Sequence, residues 1–344
     1  MKAIRVHRHG GTDELRYEET AAPKTILADD VIVQLKAAAV NEIDLRVRRG
    51  FIPAPSFPYI PGADGAGIIA EIGSRATHLR VGDRVCLYPV NSCGRCQLCL
   101  TDREFMCAQI DPAHRTAHAT YSEYVRVPAR NCFAMPEGLS FEQAAAIPMA
   151  YLTVWRMLMV NAALKPGERV LIVGAGGGIG SAALQVAARL GAHVIVTSRC
   201  DETLTKAKEL GAAHGINGED TDFAKETRRL TNKRGVDVVV DSVGAGSWSK
   251  SLEALAKGGR LVICGGAAGT KAHSDVRRVF WNHLQLFGSS LGSRDDFLQV
   301  LKFIRTTGTR PIIDRIFSLS DAAAAHNYFA ENRRFGKIVL RMDN

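Results

Sequence analysis

The stretch Arg169-Val170-Leu171-Ile172-Val173-Gly174-Ala175-Gly176-Gly177-Gly178-Ile179-Gly180 decides the fold of this chain. Four apolar residues run straight into a glycine-rich turn, and a segment of helix length rich in Ala, Leu and Val, Ser181 to Leu190, follows. Strand, glycine turn and helix in that order open a βαβ unit built to hold a dinucleotide. The turn must be tight, its middle glycine lets the backbone approach a pyrophosphate, and its last lets the helix lie close on the strand. The helix N-terminus then offers free N–H groups and partial positive charge to phosphate. The nearest fit to the spaced-glycine fingerprint is Ala175-x-Gly177-x-x-Gly180, so the context carries the reading more than the motif does.

Downstream, the strand-like runs His193–Thr197, Val236–Val240 and Arg260–Cys264 alternate with helix-length segments. That rhythm predicts a parallel sheet covered on both faces, the Rossmann doubly wound arrangement. Upstream, from residue 1 to about 130, short alternating segments such as Val31–Leu35 and Ala66–Ala70 are punctuated by Gly and Pro and predict a β-rich domain. After about residue 295 a helical stretch Arg294–Arg305, short strands, a helix around Asp321–Glu331 and a closing strand Lys337–Arg341 follow.

At 344 residues the chain is longer than one hydrophobic core supports, so two domains are expected. Its composition, 46% hydrophobic and 23% charged, is that of a globular enzyme. The N-terminus lacks the apolar and cleavage regions of a signal peptide, and no apolar run is long enough to span a bilayer, so a cytoplasmic location and no membrane partner are expected. The net charge of +9 raises the question of nucleic acid. Its densest basic pairs, Arg48-Arg49, Arg228-Arg229, Arg277-Arg278 and Arg333-Arg334, are scattered, which argues against such a partner. A cofactor with three phosphates suits the charge equally well.

The second Rossmann strand ends Thr197-Ser198-Arg199-Cys200. NAD-binding proteins carry an acidic residue there to hold the ribose 2′-hydroxyl, whereas a hydroxyl followed by Arg suits a 2′-phosphate. NADP(H) is therefore favoured over NAD(H), against the reading of Arg199 as an ordinary exposed residue with Asp201 close by.

Cys93, Cys96, Cys99 and Cys107 form a C-x2-C-x2-C-x7-C array. Four thiolates at short spacing suit a tetrahedral metal, and a closed four-sulfur shell makes it structural, so one Zn2+ per chain is expected. An iron–sulfur cluster, which also takes four cysteines, is the competing reading. Cys86, Cys132, Cys200 and Cys264 stand singly among apolar neighbours and read as core fillers.

Together these features resemble the medium-chain dehydrogenase/reductase superfamily, which includes zinc alcohol dehydrogenases and quinone oxidoreductases. The resemblance covers essentially the whole chain. It implies an α/β protein in which a GroES-like catalytic domain, residues 1–130 and 296–344, accompanies a Rossmann domain, residues 131–295. The four cysteines match the structural-zinc lobe of the alcohol dehydrogenases. The ligands of their catalytic zinc correspond to Asn41, Ala63 and Met149, none of which replaces an imidazole or thiolate. Val40-Asn41-x-x-Asp44, Ala145-Ala146-Ile147-Pro148 with Leu152-Thr153, and Asp241-Ser242-Val243-Gly244 are instead similar to the zinc-independent quinone oxidoreductase branch, whose typical members lack the cysteine lobe.

The resemblance implies hydride transfer from NADPH to a quinone or conjugated enone, with Asn41, Asp44, Tyr59, Asp64 and Thr153 at the reacting end of the cofactor. It places the dinucleotide against Asn41, Thr153, Gly174, Ala175, Gly177, Gly178, Ile179, Gly180, Ser198, Arg199, Ser242, Val243, Gly265, Gly266, Ser290, Leu291 and Lys337. Tyr59 and Asn41 are the expected hydrogen-bond donors to developing negative charge. The partners are a small-molecule substrate and further copies of the chain in a homodimer or homotetramer. Two alternatives stay open: a zinc alcohol dehydrogenase that uses Asp64 with His114 or His118, and a non-catalytic NADPH-binding protein with an RNA or protein partner.

Overall fold

A computed structural model describes residues 1–23, 27–54, 56–110, 119–331 and 333–342. The chain divides into two compact units. One comprises Met1–Met149, Gly292–Asn332 and Lys337–Asn344, and the other Ala150–Leu291 with Arg333–Gly336.

The first unit is built on a mainly antiparallel sheet whose central strand is Asp30–Ala39. Asp64–Ile72, Tyr124–Pro128 and the closing strand Lys337–Arg341 all pair with it. Val33, Leu35, Ile69, Val85, Val125, Ile338 and Leu340 supply its core, joined by Ala325 and Phe329 from the helix Ala322–Ala330. The sequence-based boundary at residue 130 falls too early, because Cys132–Ala134 adds a strand beside Arg84–Leu87 and the helix Phe141–Ala145 packs on the same sheet. The chain leaves this unit only after Met149.

Register explains how distant residues meet here. Val339 pairs with Ala39 and Leu340 with Ala38 across an antiparallel ladder. Two residues further along each strand, Lys337 comes level with Asn41. On the other side Ala39 pairs with Asp64. Three strand ends thus bring Asn41, Asp64 and Lys337 to one place.

The second unit holds six parallel strands in the spatial order Ala212–Asn217, His193–Ser198, Arg169–Val173, Val236–Asp241, Leu255–Ile263, Gln285–Gly288. In chain order that is 3-2-1-4-5-6, the doubly wound arrangement that binds dinucleotides where the strand order reverses. Val170, Leu171, Ile172, Val238, Val239 and Val240 are all buried, as a sheet covered on both faces requires. No helix among the described residues is long and apolar enough to cross a membrane.

Candidate active site

Three constellations carry chemistry, and the first lies where those strand ends converge. The Lys337 ammonium donates to Asn41 Oδ1 at 2.6 Å, Asp64 Oδ2 at 2.9 Å and the Val40 carbonyl at 3.1 Å. An ammonium has three hydrogens, and each has an acceptor here. Lys337 is 5% exposed and Asp64 not at all. The Asn41 amide is used at both ends, since its Nδ2 donates to Asp64 Oδ2 at 3.0 Å and the Ala39 carbonyl at 3.2 Å. Its orientation follows, because a flipped amide would point N–H groups at an ammonium. The second Asp64 oxygen accepts the Met149 N–H at 2.8 Å.

Beside this centre runs a buried polar chain. Asp44, in the first turn of the helix Glu42–Arg48, accepts the Asn41 N–H at 2.8 Å on Oδ2 and faces the Tyr121 hydroxyl at 3.3 Å. That hydroxyl lies 3.2 Å from His326 Nε2. Burial lifts the Asp44 carboxyl to about 7, with the Asp64 charge adding to the rise. Burial also pushes the His326 imidazole down to about 3, with Arg48 and Arg49 pushing the same way. Tyr59 is fixed through its backbone to Val6, and its buried hydroxyl has no partner among the described residues. Burial, with the nearby Asp44, raises the pKa of that hydroxyl.

The second constellation is the glycine turn. Gly174 follows the first Rossmann strand with φ of +83°, a conformation that glycine adopts without a side-chain clash. Gly180 sits inside the helix Gly178–Arg189, where an added Cβ would lie 2.1 Å from the Gly174 carbonyl oxygen. The helix can therefore meet the strand this closely only with glycine there. Thr197 pins the turn, accepting the Gly174 N–H on its hydroxyl and the Ala175 N–H on its carbonyl. Val243 lies against Gly174, and Ser242, Val243 and Gly244 pack on Gly265, Gly266 and Gly269 at the C-terminal ends of adjacent strands. Asp241 anchors that bend as a buried carboxylate accepting from two backbone N–H groups and from the Ser247 and Ser251 hydroxyls. These residues form a cradle lined by backbone, which fits a dinucleotide. At the end of the second strand Arg199 is exposed, Ser198 accepts the Cys200 N–H, and the Asp201 carboxylate accepts from Asn217. Arg334, a residue to which the sequence assigns no role, brings its guanidinium to 3.9 Å from where a Gly177 side chain would begin. Thr153 is buried in the helix Pro148–Trp155, and Ser290 and Leu291 close the second unit.

The third constellation is the cysteine lobe. The sulfurs of Cys93, Cys96, Cys99 and Cys107 lie within 4.8 Å of one another, with near pairs at 3.5 and 3.8 Å. Tetrahedral zinc with bonds of about 2.3 Å sets its sulfurs about 3.8 Å apart. The donor set therefore fits zinc. Backbone N–H groups of Arg95 and Cys96 pull the Cys93 thiol down to about 6. Among the described residues this is the one His, Cys, Asp or Glu group arranged to hold a metal ion.

Comparison with known proteins settles the family. An alcohol dehydrogenase GroES-like domain matches residues 27–137 and a zinc-binding dehydrogenase domain matches residues 178–306. A zinc-type alcohol dehydrogenase-like protein of Schizosaccharomyces pombe is 33% identical over 342 residues, covering 97% of this chain and 96% of its own. The chain belongs to the medium-chain dehydrogenase/reductase superfamily. A human quinone oxidoreductase is 27% identical over 99% of this chain and 97% of its own. A solved structure of an NAD-dependent alcohol dehydrogenase is 36% identical with a TM-score of 0.94, covering 99% of both chains. This member of the superfamily is accordingly an NAD(P)H-dependent oxidoreductase acting on a small molecule.

Of the three residues that the sequence resemblance sets against catalytic-zinc ligands, Asn41 is engaged with Lys337 and Asp64, and Met149 offers its backbone N–H to Asp64. Ala63 carries no donor side chain. The alternative ligands His114 and His118 lie outside the described residues. Sequence reasoning missed Tyr121 and His326. Neither belongs to a local motif, and only the fold brings them to Asp44 from 77 and, through Tyr121, a further 205 residues away.

Proposed function

We propose that the protein transfers hydride from NADPH to a quinone or conjugated enone without a catalytic zinc. The observation that carries this reading is the Lys337 ammonium lodged among Val40, Asn41 and Asp64. The oxygens available to a metal there already serve a cation belonging to the chain. The side chains of Asn41, Ala63 and Met149 supply neither thiolate nor imidazole to replace them.

A bound nicotinamide supplies the hydride. The glycine turn from Gly174 to Gly180 and the adjoining helix N-terminus receive the pyrophosphate, with the Arg334 guanidinium beside them. Both hydrogens of the Asn41 amide already have acceptors, so Asn41 is the fixed neighbour that orients the reacting end of the nicotinamide, and Tyr59 is the donor left to meet negative charge developing on a substrate oxygen. Its raised pKa keeps the proton in place until a stronger acceptor arrives. Simple primary alcohols should be poor substrates, because nothing lowers the pKa of their hydroxyl as zinc does.

Ser198 and Arg199 support NADPH over NADH, in contrast to the relative described as NAD-dependent. Arg199→Ala should raise KM for NADPH roughly ten- to a hundredfold and leave NADH nearly unchanged, as loss of one charge-assisted hydrogen bond requires. We also assign self-association to the strand Gln285–Gly288, which ends the parallel sheet and has exposed Leu286, Phe280 and Trp281 on or beside it. Light scattering on Trp281→Glu checks that assignment.

The deciding experiment is NADPH oxidation with a panel of quinones and enones, with and without a chelator. Turnover unaffected by the chelator is expected. Ethanol oxidation that the chelator abolishes would overturn the reading.

A further inference from the structure

We propose that Lys337 is a chain-borne cation occupying a built cation site, formed by Val40 O, Asn41 Oδ1 and Asp64 Oδ2, and that it acts as the positioning residue for Asn41. The inference deepens the proposed function, and its activity readout rests on that reading, whereas its binding and stability readouts do not.

The geometry is that of a coordination site more than of an incidental ion pair. Three oxygens at 2.6, 2.9 and 3.1 Å surround the nitrogen, one from a carboxylate, one from a side-chain amide and one from the backbone. All belong to one unit and come from three strand ends whose pairing is fixed by ladder hydrogen bonds. The site persists independently of the lysine stem, because Val40 and Asn41 leave one strand and Asp64 begins the next. Asp64 is held from its other oxygen by the Met149 N–H. Removing the ammonium would therefore leave three preformed acceptors pointing into a buried space.

The charge balance points the same way. Lys337 faces Asp64 directly, and Asp44 stands next in the chain, linked through the Asn41 backbone. Burial favours the neutral form of Asp44, so one cation answers one carboxylate. Without Lys337, Asp64 is a buried anion with only an amide and a backbone N–H on it, and Asn41 Oδ1 loses its partner, so the amide is held from its Nδ2 end alone. A small cation carrying N–H groups should then enter.

Lys337→Ala removes a propylammonium-sized volume, which makes chemical rescue the test. Thermal unfolding of the full chain is compared in n-propylammonium chloride and in tetramethylammonium chloride at the same ionic strength. The midpoint of Lys337→Ala should fall by roughly 6–10 °C, as when one partner of a buried ion pair is lost. It should recover saturably in propylammonium, not in tetramethylammonium, which has no N–H, and the unmodified protein should show no such difference. Equal responses to the two salts, or an unchanged midpoint in the variant, would overturn the site.

If Lys337→Ala does not fold, Lys337→Ala with Asp64→Asn keeps the question open to test. The double variant should fold, with no response to propylammonium, because the orphaned charge is gone. A double variant as defective as the single one would refute the charge argument and assign Lys337 to packing alone. In the quinone assay, propylammonium should restore at least several-fold of the kcat lost by Lys337→Ala while KM for NADPH changes little. A cofactor-binding role would instead show as a rise in KM, and would overturn the positioning role. Absence of turnover in the unmodified protein would defeat the proposed function alone, and the thermal comparison would still decide the cation site.

Discussion

The first unit gathers polar side chains around a point in two places, and the two differ in where the positive charge comes from. In the cysteine lobe four sulfurs crowd within 4.8 Å, an arrangement that a metal ion completes. At Asn41 and Asp64 the chain brings its own, the Lys337 ammonium, and matches each of its hydrogens. Four thiolates close together repel unless a metal neutralises them, so the lobe is completed from outside. A lysine held by a carboxylate, an amide and a carbonyl is complete as folded. The difference separates a site whose integrity depends on metal supply from one whose integrity depends on strand register.

Zinc removal should break the comparison most visibly. Metal analysis is expected to find about one zinc per chain. Cys96→Ser should lose it and cost roughly 5 kcal/mol or more of stability, since a structural zinc contributes its binding free energy to folding. Turnover measured on the surviving folded fraction should change far less. Two zincs per chain would show that Asn41 and Asp64 are no closed site at all.

The next largest effect belongs to the other centre and should ignore metal. Asp64→Leu leaves the Lys337 ammonium buried against neutral acceptors, which should cost about 3–5 kcal/mol. Adding Lys337→Met should return part of that loss, because replacing a whole buried pair is milder than orphaning one member. Urea unfolding of Asp64→Leu, Lys337→Met and the double variant gives the coupling. Additive losses would mean that the pair does not interact and that the contrast with the cysteine lobe is false.

How much of this was legible beforehand follows from how local each feature is. The glycine turn, the strands around it and the cysteine array are contiguous, and each residue type meets a need of its own neighbours, so sequence reading found them. The closing strand was visible as a strand, but its register was not. That register, Val339 against Ala39, is what makes Lys337 a neighbour of Asn41, and the resemblance alone assigned Lys337 to the cofactor. The early boundary at residue 130 has the same origin. Nothing in Cys132–Ala134 itself says that it pairs with Arg84–Leu87. Tyr121 and His326 went unseen because burial of a polar side chain is tolerated only through partners that the sequence does not name.

The smallest predicted effect is a pH dependence confined to the lysine centre and its neighbours. The Asp44 carboxyl is raised from 3.8 to about 7, chiefly by burial and also by Asp64, while Lys337 opposes the rise. The His326 imidazole is lowered from 6.5 to about 3, by burial and by Arg48 and Arg49. Between the two Asp44 values the folded chain holds more protons than the unfolded one, so stability falls as pH rises. Between the two His326 values it holds fewer, so stability rises with pH. In the shared window, about pH 4 to 6.5, each slope is about 1.4 kcal/mol per pH unit and they oppose one another. The unmodified protein should therefore be nearly indifferent to pH from this pair. Asp44→Asn keeps an oxygen to accept the Asn41 N–H but removes one titration, so its stability should climb with pH across that window. His326→Gln should show the opposite slope. Urea unfolding at several pH values measures both, and parallel profiles for all three proteins would mean that the chain from Asp44 through Tyr121 to His326 does not titrate as a buried unit.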